Sequence, residues 1–174
     1  LKILSEFIKF QTVSGTSNVK LIEYCEKKLG KLGAISFKTF DQKKQRVNLF
    51  STISGKQKLN GGGIILSGHT DVVPASGKEW SSDQFIATEK DKKIYGRGSC
   101  DMKGFIACSL ALAPYFASQN LKKPIHFSFT YDEETACQGA PIMIRELKKR
   151  DINCSVCIVG EPCLLSTPDA ADDG

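Results

Sequence analysis

The sequence predicts an α/β fold, with a mostly parallel sheet and helices on both faces. Helical and extended patterns alternate along the whole chain. Several extended segments are short apolar runs of the kind that become buried strands. The second half runs strand, helix, strand, helix, strand, which is the order that crossover connections between parallel strands produce.

The elements follow in order. Leu4, Phe7 and Ile8 sit at helical spacing. After Ser14-Gly15, a second helix is expected from Val19, Ile22, Leu29 and Leu32, with Ser17 or Asn18 as its N-cap and Gly33 ending it. Ile35 to Phe40 and Val47 to Ile53 read as extended, and Asn60-Gly61-Gly62-Gly63 makes a turn before a buried strand from Ile64 to Ser67. A long apolar helix is expected from about Met102 to Ser118. It is followed by an alternating strand (Ile125 to Tyr131), a helix (Ala140 to Lys149) and a short buried strand (Val156 to Val159). Residues 1–162 are read as the N-terminal part of one domain and 163–174 as an irregular acidic tail.

Composition agrees. A chain of 174 residues, 41% hydrophobic and 25% charged, can bury one sizeable core. The net charge of +5 arises from 24 basic and 19 acidic residues, and the basic ones fall in separated pairs such as Lys27-Lys28, Lys122-Lys123 and Lys148-Lys149. That pattern predicts solvated faces and no nucleic-acid partner. No apolar run approaches the roughly 20 residues that cross a bilayer. Seven cysteines without a regular framework suit reduced thiols. A cytoplasmic protein with no membrane partner is therefore expected.

The chemistry collects at the ends of the buried strands. Ile64 to Gly68 is followed by His69 and Asp71, Phe127 to Tyr131 by Asp132, Glu133 and Glu134, and Val156 to Gly160 by Glu161. Ligands of open α/β sheets bind outside the carboxyl ends of the strands, so these clusters are expected to share one crevice, with Asp101 able to join them. Taken singly, His-x-Asp is commonly a turn pair, Glu-Glu a solvated loop, and Gly96-Arg97-Gly98 a turn. Their joint placement favours a site. One imidazole among several carboxylates is relieved of mutual repulsion by a divalent cation. The mixed nitrogen and oxygen donors suit zinc, with cobalt or manganese as alternatives, and a bridging carboxylate allows two metals about 3.5–4 Å apart.

Four motifs, in order, resemble the di-zinc aminoacylase and carboxypeptidase family. They are Ser67-Gly68-His69-Thr70-Asp71-Val72-Val73-Pro74, Tyr95-Gly96-Arg97-Gly98-Ser99-Cys100-Asp101-Met102-Lys103-Gly104, Tyr131-Asp132-Glu133-Glu134 and Gly160-Glu161-Pro162. The resemblance runs from Leu4 to about Pro162. It implies that His69 and Glu161 bind one metal, Glu134 the second, and Asp101 both. It also implies that Asp71 orients the imidazole and that Glu133 is the general base. Two divalent metals follow, zinc foremost and cobalt as the alternative. The implied reaction removes the acyl group from a small N-acyl amino acid. Details such as Gly104-Phe105-Ile106-Ala107-Cys108 point to N-acetylornithine as substrate, a step of arginine biosynthesis, with N-succinyl-diaminopimelate as the competing one.

Two family features are not found in this sequence: a late histidine for the second metal, and a lid or dimerisation domain after Gly-Glu-Pro. The chain therefore reads as truncated, holding one metal weakly and hydrolysing acetylornithine poorly or not at all, while the full-length protein is expected to form a homodimer through that domain. An inactive metal- or partner-binding remnant is the rival reading. The other histidine, His126, lies within a strand and is expected to be structural. Cys154 and Cys157, with Cys163 nearby, have zinc-ribbon spacing, but residues three apart on a strand point to opposite faces, which argues against chelation.

Overall fold

Every helix and strand expected from the pattern forms within a few residues of its expected place. The computed structural model describes residues 1–55, 62–75 and 80–162. In chain order the elements are α1 (Lys2–Lys9), α2 (Val19–Gly30), β1 (Ile35–Phe40), β2 (Val47–Ile53), β3 (Ile64–His69), β4 (Thr88–Lys90), β5 (Lys93–Tyr95), α3 (Lys103–Ser118), β6 (Ile125–Thr130), α4 (Gly139–Lys149) and β7 (Val156–Val159). The expected acidic tail, Cys163, and the Asn60-Gly61 half of the expected turn lie outside the described residues.

Five strands form one mixed sheet in the order β1-β2-β6-β3-β7. Its core is parallel: β3 pairs with β6 on one side and β7 on the other. The other two strands are antiparallel, β1 to β2 and β2 to β6. Residues 41–46 joining β1 to β2 are too few for a crossover, so that pair must be a hairpin.

Alternation along the strands divides the core into two. Val47, Leu49, Ile53, Phe127 and Phe129 pack with Phe7, Leu21, Ile22, Leu29, Ile106 and Leu110 from α1, α2 and α3. On the opposite face Phe50 and Ile65 pack with Met143 of α4. Each such fully buried side chain contributes about 1.5–3 kcal/mol of transfer free energy. His126 belongs to the α4 face. Its ring stacks on Phe50 with centroids 5.1 Å apart, and its nitrogens reach Thr52 Oγ1 at 2.9 Å and the Gly62 carbonyl at 3.2 Å. Both ring nitrogens are thus occupied by structural partners, and burial pushes its pKa down.

Three local details differ from expectation. The strand expected to be buried at Val156 to Val159 forms, but as an edge strand with all four residues exposed, because β3 flanks it on one side alone. Asn18 stands at the N-cap position of α2 but makes no side-chain cap. Its amide instead donates to the Val47 carbonyl and to Thr70 Oγ1, and accepts from the Val47 N–H, each at 2.8 Å. Buried backbone groups at the start of β2 need partners more than an exposed helix end does. The hairpin of β4 and β5 has no apolar signature in the sequence, because it is short and largely charged. Asp91 and Lys92 turn it with φ of 51° and 60°, without the Asn-Gly or Asp-Gly pair that usually marks such a turn. Among the described residues, no helix is long and apolar enough to cross a membrane.

Candidate metal centre

The parallel strands deliver the expected residues to one edge of the sheet. His69 is the last residue of β3, and Asp71 follows two residues later. Glu133 and Glu134 stand in the turn after β6, Glu161 just beyond β7, and Asp101 before α3, where the Asp101–Met102 peptide is cis. His69 Nε2 lies 3.0 Å from Asp101 Oδ1, 3.5 Å from Glu161 Oε1 and 3.8 Å from Glu133 Oε2. The imidazole is buried at 1% side-chain exposure, whereas those three carboxylates are 39–47% exposed. A deep nitrogen therefore faces a ring of solvent-accessible oxygens.

Two overlapping groups have all their ligand atoms within 4.8 Å of one another: His69 with Glu133 and Glu161, and His69 with Asp101 and Glu134. The structure thus brings together all four residues expected to hold metal, with Glu133 among them. Cys154 and Cys157 are exposed free thiols and belong to no such group among the described residues.

The electrostatics fit a cation. Burial and the neighbouring charge of Asp101 push the Glu134 carboxyl up to about 7, and burial with the charges of Asp101 and Glu133 raises Glu161 despite His69. Burial opposes a charged His69, but hydrogen bonds to Asp101 and Asp71 and the charges of Asp71 and Glu161 outweigh it, taking the pKa up to about 11. Such a cluster attracts positive charge strongly, and one nitrogen with several carboxylate oxygens is a donor set that zinc accepts.

Asp71 does more than face the imidazole. His69 Nδ1 lies 3.0 Å from the Asp71 backbone oxygen and 3.4 Å from its Oδ1. The Asp71 carboxylate also accepts the backbone N–H of Glu133 at 3.0 Å and of Glu134 at 3.3 Å, and the Ser14 hydroxyl at 2.8 Å. Burial opposes ionisation of Asp71, yet these donors and His69 hold its pKa below the ordinary carboxylate value. One side chain therefore organises both β3 and the turn after β6. Of the supporting residues, Ser14 and Arg46 lie outside the four motifs, whereas Lys103 lies within the second. Lys103 is fully buried, donates to the Phe10 carbonyl at 2.6 Å, and has its pKa lowered by burial to about 8.

Beside Asp101 and Glu134 opens a cavity of about 230 Å³, lined also by Val73, Trp80, Arg97 and Ser99. The Arg97 guanidinium lies over the Trp80 ring, 5.4 Å from its centre.

Residues 65–171 match Peptidase family M20/M25/M40. The acetylornithine deacetylase of Yersinia pseudotuberculosis is 37% identical over 123 residues, which is 70% of this chain and 31% of that protein. The acetylornithine deacetylase of Pasteurella multocida is 37% identical over 153 residues, 86% of this chain and 37% of that protein. The chain thus spans 31–37% of the length of these curated relatives. Human carnosine dipeptidase 1 superposes with a TM-score of 0.80 at 22% identity, covering 96% of this chain and 39% of that one. The M20 family metallo-carboxypeptidase Sso-CP2 of Sulfolobus solfataricus gives 0.77 at 22% identity, covering 92% and 37%. At that identity the two structures speak to the fold.

Proposed function

We infer the activity from one premise: the chain belongs to peptidase family M20/M25/M40. On that premise it is the metal-holding part of a hydrolase. The reaction we assign to the whole protein is hydrolysis of N-acetyl-L-ornithine to L-ornithine and acetate, a step of arginine biosynthesis. The observation that carries this reading is the convergence of Asp101, Glu133 and Glu161 on His69 Nε2 within 3.8 Å. The choice of acetylornithine is supported by the 37% identity to deacetylases that bear that name.

His69, Asp101 and Glu161 would hold one divalent metal, and Asp101 with Glu134 the second, zinc or cobalt suiting both. When bound, such a metal lowers the pKa of water from about 15.7 to about 7 and polarises the acyl oxygen. Glu133 would serve as general base, which is supported by its carboxylate standing 3.8 Å from His69 Nε2 at the border of the cluster and being 39% exposed, so that a water could reach it. The same carboxyl group then returns that proton to the departing amine nitrogen, so that the amine leaves neutral. Asp71 keeps the His69 ring turned so that Nε2 points inward. The six described cysteines are free thiols, which suits an enzyme acting on a small molecule in the cytoplasm.

The test is hydrolysis of N-acetylornithine against N-succinyl-diaminopimelate by the full-length protein, with zinc or cobalt supplied. The acetyl substrate is expected to turn over faster. Faster release of succinate would reassign the substrate, and hydrolysis of neither would remove the assignment.

A further inference from the structure

We propose that Arg46, which touches none of the candidate metal ligands, is a positioning residue for the site: by gripping Asp132 it fixes the turn that presents Glu133 and Glu134. The inference rests on the reading of those two glutamates as base and ligand.

Asp132 is the first residue of that turn and belongs to neither of the candidate ligand groups. It is 1% exposed and has φ of 50°, in the left-handed region that aspartate adopts more readily than most side chains. Two partners hold its carboxylate. Asp132 Oδ1 accepts the Gly15 N–H at 2.8 Å, and Oδ2 forms an ion pair with Arg46 Nη1. A carboxylate buried this deeply depends on its cation, because removing one partner leaves an uncompensated charge.

Arg46 is itself held in place. Its Nε donates to Asp41 Oδ2 at 3.2 Å, and its guanidinium lies over the Tyr131 ring, 5.5 Å from the centre. Asp41 in turn accepts the backbone N–H groups of Gln45 at 2.7 Å and Arg46 at 2.9 Å, so the β1–β2 loop is closed around the arginine stem. The turn has further ties: Cys137 N–H donates to the Glu133 carbonyl and Gln138 N–H to the Asp132 carbonyl, both at 2.9 Å. Asp71 secures Glu133 and Glu134 from the β3 side, and Arg46 secures Asp132 from the hairpin side. Without Arg46 the buried Asp132 carboxylate keeps only the Gly15 N–H and loses its cation, and the carboxyls of Glu133 and Glu134 are held less firmly at their separation from His69.

The test uses full-length protein as wild type, R46A, R46K and D132N, with cobalt(II) titrated calorimetrically and amide hydrogen exchange followed in the metal-free state. R46A is expected to weaken cobalt binding by about 10- to 100-fold, the range for residues that orient metal ligands, and R46K to restore most of it. The amides of Glu133, Glu134 and Cys137 are expected to exchange faster in R46A while those of β3 and β6 keep their protection. D132N, nearly isosteric, is expected to loosen the same three amides and decides the matter if R46A does not fold. Turn protection unchanged in the variants overturns the proposal, as does a loss of protection spread evenly over β3 and β6, which is what a merely structural role predicts. Wild-type protein that binds no cobalt removes the metal reading, and the exchange pattern still decides whether Arg46 fixes the turn.

Discussion

Asp71 meets the ring of His69 at a single nitrogen, with its backbone oxygen 3.0 Å and its carboxylate 3.4 Å from Nδ1, which leaves Nε2 to face the acidic cluster. The same carboxylate takes the backbone N–H groups of Glu133 and Glu134. Asp71→Ala therefore removes an orienting partner from two elements at once. Cobalt affinity of the full-length variant is expected to fall at least about 10- to 100-fold, as when an outer partner of a ligating histidine is lost. Unchanged affinity by calorimetry would show that the backbone oxygen alone suffices to orient the ring.

Glu133→Gln keeps the size of the side chain and removes its basicity. In the full-length enzyme kcat is expected to drop by about 10²- to 10⁴-fold, the usual contribution of a positioned general base, with KM and metal content nearly unchanged. A variant that retains kcat but loses metal on dialysis would make Glu133 a ligand, which its place in one of the two ligand groups also permits.

Glu134 gives a pH-dependent prediction for metal-free protein. Its carboxyl is pushed from the ordinary glutamate value of 4.5 up to about 7, chiefly by burial and then by Asp101. A raised folded-state pKa favours the protonated form, so the associated stability is complete below about pH 4.5 and is lost as pH rises through about 7. Glu134→Gln removes that loss. In chelator-treated samples the variant is expected to be more stable than wild type at pH 8 by about 1 kcal/mol, the shift being discounted for the solvent reaching a half-buried group. The two proteins should converge at pH 4. Urea midpoints at the two pH values measure this, and equal midpoints at pH 8 contradict it.

Gly104 opens the first turn of α3 directly behind Asp101. A Cβ at this position would stand 2.3 Å from the Ser99 backbone oxygen, which has no flexible side chain to yield. Gly104→Ala is expected to cost about 1–3 kcal/mol as the helix start shifts, the range for overpacked sites. Urea denaturation reads the stability, and a variant as stable as wild type would mean that the Asp101 loop moves freely.

Legibility in the sequence followed the range of the interactions. The run from Val47 to Ile53 announces a strand by its residue types, and Ile22 and Leu29 announce the buried side of a helix by their spacing. The β4–β5 hairpin was not announced, because its charged residues are set by turn geometry and not by burial. Asn18 shows the limit for caps: the residue type marks the helix start, but the side chain goes to Val47 and Thr70, distant in sequence.

By itself the sequence determined the α/β class, the order of the elements, and the acids and imidazole at the strand ends, because periodicity and residue type are local properties of the chain. Only the tertiary structure decided that β2 pairs antiparallel with β6, that Asp71 ties Glu133 and Glu134 to His69, and that Arg46 reaches Asp132 across 86 positions of sequence. Those facts depend on which backbone donors and buried charges come to lie opposite one another once the sheet is assembled, and no short-range pattern encodes that pairing.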